Sequence, residues 1–418
     1  MRTTTAAART CALFCLLGLS LTGCTSTTVI DARTTPAKTV GGAFAEQQPM
    51  DIGVAVFGTN RPRTARSVES DLMDPNVRYA EARYFAYTLR NTLEATENWG
   101  AVRIAPRDSL ATDLKVYGDV IESNGIELRL HLKAVDATGD VWVDKTYDDV
   151  ASQLSYRDEV GAGAEPFQDI YNRFADDLLA AYLARDPADI VRIRKTSLLA
   201  FAEDVAPYAF EGYMSGRDDG TRVIERLPAN DDPMLGRVQK IREREYMFVD
   251  LLDEHYKTMH RNLHEPYLDW RRASYQELLA LRDVRRGALG AKLMGGGTAL
   301  GGIVVQKQSV SRAGQVAGRA GVLTGARTVI GGIQMASESQ MHVEALRELS
   351  DSLTSQVDPM VVELEDKAVT LTGTAEEQYA QWRALLRAIY EQETGINLGD
   401  DDIEPALPSP RAQASEAP

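Results

Sequence analysis

The spacing of apolar residues changes once along this chain, near residue 160, and that change constrains the fold more than any other feature. Before it, apolar and polar residues alternate, as in residues 126–132, which is the period of a half-buried strand. After it, residues 167–182 place apolar side chains three or four apart, which is the period of an amphipathic helix. The sequence therefore predicts an α+β protein, with a small sheet domain followed by a largely helical body.

The predicted sheet domain covers residues 51–156. Residues 52–57 form a β-branched run typical of a buried strand, and Asp74-Pro75 supplies the cap and first turn of a helix. A second strand at residues 101–104 follows that helix. Three more strands are expected at residues 115–121, 126–132 and 141–147. The predicted order is strand, helix, strand and then a three-stranded meander.

The helical body is expected between residues 165 and 357. Asp186-Pro187 begins one of its helices, and the glycines, prolines and aspartates of residues 212–232 predict a loop. A long amphipathic helix begins after Pro233, and we expect Pro266 to break it. Polar residues interrupt its apolar seam, so a packed bundle is favoured over a two-stranded coiled coil.

Three histidines of this long helix, His255, His260 and His264, suggest a metal site. Only His260 and His264, four residues apart, share a face of the helix. No glutamate follows His260, whereas a zinc-protease helix has one after its first histidine. We interpret these histidines as part of a surface helix, and we expect neither a metal nor a cofactor.

A glycine-rich segment, residues 288–335, is predicted to form a helical hairpin around a polar break at residues 306–312. Each glycine disfavours a helix by up to about 1 kcal/mol, so their heptad-like spacing indicates close approach of two helix backbones. Three interpretations stay open: a hairpin buried against the bundle, a self-associating or membrane-touching hairpin, and a flexible loop. The candidate packing positions are Gly297, Gly301, Gly314, Gly318, Gly321 and Gly325.

The carboxy-terminal unit is expected over residues 358–396 as a β-hairpin followed by a helix. Thr374, with Glu377 three residues later, matches a capping box at the start of that helix. Residues 397–418 are acidic and rich in proline and alanine, and we expect them to form a disordered tail.

The first residues of the chain are typical of a secretory signal. Arg2 and Arg9 precede a short apolar run, which ends in Leu21-Thr22-Gly23-Cys24. This ending resembles the lipobox of bacterial lipoproteins. The resemblance implies that residues 1–23 are removed and that Cys24 is lipidated as the first mature residue. Thr25, in place of an aspartate, favours the periplasmic face of the outer membrane.

The predicted signal implies two properties of the mature chain, a tether and the lack of disulfides. Residues 24–50 are rich in threonine, alanine, glycine and glutamine and are predicted to form a flexible tether. All three cysteines lie within the first 24 residues, so packing alone must hold the mature fold together.

The sheet domain also carries a resemblance. The segments "LRNTLEATENWGAVRIAP", "VYGDVIES" and "LHLKAVDATGDVWVDKTYDD" resemble the small α/β domain of the curli-secretion lipoproteins and of the amino-terminal part of the Tol-system propeller protein. The resemblance implies an envelope assembly or docking module and not an enzyme. Long membrane-inserting strands of a curli-type channel are not visible in the sequence.

These features favour a non-catalytic function. The net charge of −15 argues against a nucleic-acid partner, and the nucleophile, zinc-protease and phosphate-loop motifs are missing from the sequence. We expect a lipid-anchored periplasmic scaffold or accessory protein in outer-membrane assembly, transport or surface-structure export, with an envelope protein or a second copy as partner. The alternatives are a peptidoglycan- or glycan-acting enzyme with two carboxylates and an oligomeric channel accessory.

Overall fold

A five-stranded mixed sheet is built from residues 52–150 of the chain. Strand β1 is parallel to its neighbours β2 and β3, whereas β3, β4 and β5 form an antiparallel meander, in the order β2-β1-β3-β4-β5. The predicted order of strands is confirmed, and the chain is α+β. The strands are β1 (Ile52–Ala55), β2 (Val102–Ala105), β3 (Leu114–Ser123), β4 (Glu127–Asp136) and β5 (Val141–Val150).

This computed structural model of the 418-residue chain describes ten stretches, all of which belong to one compact unit. The stretches are residues 34–40, 49–58, 75–106, 110–151, 153–156, 165–217, 220–229, 231–305, 360–364 and 367–395.

Helix α1 (Pro75–Ala95) connects β1 to β2 and is buried on nearly every side. Its apolar residues Phe85, Leu89 and Leu93 are fully buried in the core. The helix contacts both the sheet and a second helix. Glu81 and Tyr84 lie next to Phe85 on the side toward that second helix, and neither is exposed by more than 1%. Polar groups of α1 must therefore find partners inside the protein.

The helical body contains the elements that the change of period predicts. Asp186 caps α3 by accepting a hydrogen bond from the amide of Ala188 at 2.8 Å, and the Thr374–Glu377 capping box is present at α6. These sequence predictions are confirmed. The elements are α2 (Gln168–Leu183), α3 (Pro187–Val205), α4 (Pro207–Phe210), β6 (Met214–Gly216), β7 (Arg222–Ile224), α5 (Pro233–Val305), β8 (Met360–Leu364), β9 (Lys367–Leu371) and α6 (Ala375–Thr394).

Helix α5 is 73 residues long, about 110 Å at 1.5 Å per residue, and passes through Pro266 without ending. The prediction that Pro266 breaks the helix is wrong. A proline inside a helix costs about 3 kcal/mol. Leu263, Tyr267 and Trp270 flank it and are each at most 3% exposed, and burying one such side chain stabilises by about 1.5–3 kcal/mol. Packing on both sides of the proline offsets its cost.

The predicted loop at residues 212–232 is only partly a loop. Strands β6 and β7 form a short antiparallel pair inside it. The amide of Arg222 donates a hydrogen bond to the carbonyl of Thr138 at 2.7 Å. The small hairpin is therefore joined to the turn between β4 and β5, a long-range contact that the local glycine and proline signals do not reveal.

Packing is continuous across the predicted boundary between the sheet domain and the helical body. One apolar core runs from Met50 beside the sheet to Tyr390 in α6. Helix α5 contacts α1 and β2, and it also contacts α3 and α6. The sheet and the long helix therefore share one core, and independent folding of residues 51–156 stays a prediction.

Several predictions concern residues outside those the structure describes. They are the signal at residues 1–23, the lipidation site Cys24, the packing glycines Gly314, Gly318, Gly321 and Gly325, the predicted helix at residues 341–357 and the tail at residues 397–418. Gly297 and Gly301 lie within α5. No helix among the described residues has an apolar stretch long enough to cross a membrane.

The turn between β3 and β4 touches the backbone of α5 at Gly125. A Cβ atom at this position would overlap the main-chain nitrogen of Tyr275 and the carbonyl oxygen of Arg271. The carbonyl of Gly125 also accepts a hydrogen bond from the hydroxyl of Tyr156 at 2.7 Å. Only glycine permits this approach, which brings the sheet against the long helix.

We predict that Gly125→Ala lowers the free energy of unfolding by about 1–3 kcal/mol, because the added methyl group meets backbone that cannot rotate away. Gly236→Ala is the matched control, since Gly236 lies in α5 with open space around it. The control should gain up to about 1 kcal/mol from better helix propensity. Urea denaturation of both variants tests this, and equal effects would contradict the close approach.

Candidate functional site

We name the five-stranded sheet together with helix α1 the sheet unit. A fully buried arginine lies where α5 meets this unit. The side chain of Arg271 has no exposed surface, and its Nη1 donates a hydrogen bond to Oε1 of Glu165 at 2.6 Å. Its guanidinium lies over the rings of Tyr267 at 4.3 Å, Phe167 at 4.6 Å and Phe85 at 5.3 Å. Such stacking suits arginine better than lysine because the guanidinium is planar and weakly hydrated.

A second buried carboxylate, Glu81 of α1, lies in the same region. Its Oε1 accepts hydrogen bonds from the hydroxyls of Tyr267, at 2.7 Å, and of Ser123. Its Oε2 is 3.0 Å from Nη1 of Arg78, which forms an ion pair with it. Glu81 therefore joins three elements, α1, β3 and α5, through one carboxyl group.

Tyr84 connects α1 to the histidines of α5. Its hydroxyl donates a hydrogen bond to Glu165 at 3.1 Å and lies 2.8 Å from Nδ1 of His264. Its ring stacks on that of His260, with centroids 4.5 Å apart. Nε2 of His260 lies 3.1 Å from Oγ1 of Thr88. We name Glu81, Tyr84, Glu165, Tyr267 and Arg271 the buried junction, with His260 and His264 at its edge.

The interpretation as surface residues is wrong for His260 and His264, which are half-buried. His260 and His264 do share a face, as predicted, but that face packs on α1. Burial lowers the pKa of His260 to about 4, and the neighbouring His264 adds to this effect. The ring of His260 is therefore neutral near pH 7. Among the described residues, no group of three or more histidine, cysteine, aspartate or glutamate side chains could hold a metal ion.

The arrangement is sealed, and this limits its chemistry. Glu81 is not exposed, and Glu165 is 8% exposed. Nε and Nη2 of Arg271 and the hydroxyl of Tyr171 are buried without a hydrogen-bond partner among the residues that the structure describes. Leaving such groups unpaired costs about 1–3 kcal/mol each. The buried junction therefore holds elements together and offers no surface on which a substrate could bind.

A second polar junction joins α5 to α6 and α3. Glu245 of α5 has no exposed surface and accepts a hydrogen bond from the hydroxyl of Tyr379 at 2.8 Å. Nη1 of Arg383 lies 3.4 Å from Oε1 of Glu245, and Nη2 forms an ion pair with Asp204. Burial raises the pKa of Glu245 to about 7, although the Tyr379 hydrogen bond, Arg242 and Lys115 act in the opposite direction.

An acidic groove of about 300 Å³ lies between β5, α2 and residue 35. Burial raises the pKa of Asp149 above its ordinary value, and the charges of Asp169 and Asp148 add to the rise. This groove is a candidate binding cleft. Its lining residues are Thr35, Asp148, Asp149, Asp169, Asn172, Arg173 and Asp176.

We predict that Arg271→Met lowers the free energy of unfolding by about 3–5 kcal/mol, because it leaves Glu165 buried without its cation. Arg272→Met is the matched control. Arg272 is the next residue of α5, is 39% exposed and pairs with Asp269 at 3.0 Å, so its loss should cost at most about 1 kcal/mol. The double variant Arg271→Met/Glu165→Gln should recover part of the loss, since the buried charge is gone. Urea denaturation that shows equal losses at both arginines would contradict the buried pair.

We predict a pH dependence that belongs to Glu245. Its folded-state pKa of about 7 is above the ordinary value of 4.5, so the folded protein binds more protons between these values. Glu245 alone should therefore make the free energy of unfolding fall as pH rises from about 4.5 to about 7, by up to about 3 kcal/mol. The lowered pKa of His260, about 4, makes the free energy of unfolding rise over much of the same range. The contribution of Glu245 is therefore the difference in slope between the parent protein and Glu245→Gln, which lacks the decline.

The control for this pH dependence is Glu243→Gln, because Glu243 is an exposed residue of the same helix. This variant should keep the slope of the parent protein. Denaturation at a series of pH values measures all three proteins. If Glu245→Gln and the parent have the same slope, another group titrates in this window.

Comparisons with known proteins leave the site to be judged on its geometry. No family model, no curated protein and no solved structure matches this chain. A proposal for the function therefore rests on three features of the structure: the buried junction, the second junction and the acidic groove.

Proposed function

We propose that this protein is a lipid-anchored, non-catalytic scaffold of the bacterial envelope, held at the periplasmic face of the outer membrane through Cys24. It serves outer-membrane assembly, transport or surface-structure export, and it acts through an envelope protein or a second copy. The lipobox-like ending at residues 21–24 and the resemblance of the sheet unit to envelope docking domains motivate this proposal.

The observation that carries the scaffold function is the use of buried charge to fix α5 to the sheet unit. Arg271 and Glu165 are paired without access to solvent, and Glu81 bonds to groups of α1, β3 and α5. A catalytic carboxylate needs to reach a substrate. These carboxylates reach only other parts of the same protein, which is the arrangement expected of a rigid support.

Several carboxylates of the acidic groove are engaged by the protein itself. Asp169 and Asp176 each accept a hydrogen bond from the backbone of residues 34–40. Asp148 and Asp149 are successive residues of β5, so their side chains point to opposite faces of the sheet. Two carboxylates that face one substrate are required for glycoside hydrolysis. The groove therefore favours a binding role over the enzymatic alternative.

The channel-accessory alternative depends on the glycine-rich segment. Gly297 and Gly301 are one helical turn apart on α5 and share a face. The second half of the predicted hairpin lies outside the described residues, so the scaffold function rests on the junctions and not on these glycines.

We predict that Cys24→Ala abolishes lipidation, and that the protein then moves from the membrane fraction to the soluble periplasm or stalls during processing. Metabolic labelling with a fatty acid, followed by fractionation, measures both effects. Cys15→Ala is the matched control, because Cys15 lies inside the predicted signal and not at its end. Labelling that persists in Cys24→Ala would refute the lipid anchor, and with it the proposed location.

A further inference from the structure

The described part of the predicted tether, residues 34–40, lies along α2 instead of hanging free. We name these seven residues the strap. Five hydrogen bonds of 2.7 to 2.9 Å join its backbone to side chains, three donated by backbone amides and two accepted by backbone carbonyls. These bonds join Thr35 N to Asp169, Thr35 O to Asn172, Lys38 N to Asp176, and Lys38 O and Val40 N to Asn98.

The register of the strap matches the register of the helix. Thr35 and Lys38 are three residues apart, which is about 10 Å in an extended chain. Their partners Asp169 and Asp176 are seven residues apart, which is also about 10 Å along a helix, and seven residues are close to two full turns. Because the strap and the helix advance by the same distance between these two contacts, one face of α2 can bind successive residues of an extended segment.

The contacts are made mainly with the backbone of the strap and less with its side chains. All five hydrogen bonds end on main-chain atoms, and the ammonium group of Lys38, 75% exposed, lies 3.4 Å from Asp176. Such an exposed ion pair contributes about 0–1 kcal/mol. Pro36 restricts the backbone to extended conformations at its own position and at Thr35. The strap therefore loses less conformational entropy when it binds.

We propose that Asn98 and the face of α2 that carries Asp169, Asn172 and Asp176 form a binding site for an extended peptide segment. Its ligand is the strap of the same chain. The site recognises main-chain groups at the spacing of an extended segment, with Ala37 as the apolar residue packed against the core.

The bound strap shortens the reach of the tether, a consequence that rests on the proposed lipidation of Cys24. Thr35 is the eleventh residue after Cys24, so the body lies within about 40 Å of the anchor. With the strap released, the next residue that the core holds, among those the structure describes, is Met50. The limit then rises to about 90 Å. Binding of the strap thus sets the maximum distance between the body of the protein and the membrane.

The test compares two substitutions at one position of the strap by amide hydrogen exchange, in the full-length Cys24→Ala protein. Lys38→Met keeps the amide that Asp176 binds and should leave the protection of the Thr35 and Val40 amides nearly unchanged. Lys38→Pro removes that amide and should lower this protection by about fivefold, since each lost hydrogen bond contributes about 1 kcal/mol. Because this protein is unlipidated, the result does not depend on the anchor.

Substitution of the site gives an independent comparison. Asp169→Ala/Asp176→Ala should expose the Thr35 and Val40 amides without a large change in melting temperature, whereas Glu203→Ala, an exposed carboxylate of α3, should leave them protected. Equal protection in the double variant and the parent would overturn the site. Protection that rises with protein concentration would overturn the assignment to the same chain and make the ligand the strap of a second copy.

Discussion

The ion pair between Arg271 and Glu165 is the interaction on which the rest of the structure depends. Removing two such ions from water costs several kcal/mol each, and good geometry with further hydrogen bonds is needed to offset this. Tyr84 donates a further hydrogen bond to Glu165, whereas Nε and Nη2 of Arg271 have no partner among the described residues and lie beside three aromatic rings. The pair fixes one point of α5 against Glu165, which lies just before α2 and bonds to Tyr84 of α1. Gly125 brings the sheet against the same turn of α5.

Burial of α1 on two sides follows from this arrangement. The sheet covers one side of α1, and α5 covers the side that carries Glu81, Tyr84 and Phe85. Glu81 and Tyr84 therefore take their partners from α5 and β3. The same logic holds at Glu245, where α6 covers α5. Here the cost of burial is only partly offset, and the raised pKa of the carboxyl group expresses that remaining cost.

Features that depend on neighbouring residues could be predicted from the sequence, and features that depend on distant ones could not. The meander and the Thr374 capping box need only local alternation and a spacing of three, and both are present. The role of His260 depends on Thr88, which is 172 residues away. The spacing of residues within one helix cannot predict such a distant partner. A usable signal was the matching spacing of four, since Tyr84 and Thr88 on one helix face His260 and His264 on the other. The passage of α5 through Pro266 was unpredictable for the same reason, because distant packing offsets a local cost.

The proposed scaffold function requires that the parts of the protein hold fixed positions, and the described residues contain two devices that fix them. The buried junction fixes the direction of a helix about 110 Å long relative to the sheet. The strap fixes where the chain leaves the sheet unit, on the face formed by α2. If the strap were unbound, the body could take any orientation at the membrane. A rigid α5 would then not hold any part of the protein at a fixed position. A bound strap makes that rigidity useful, because the first fixed residue lies eleven residues from Cys24. Both devices rely on side chains that bind the protein's own backbone or its own charges, as the proposed scaffold function requires.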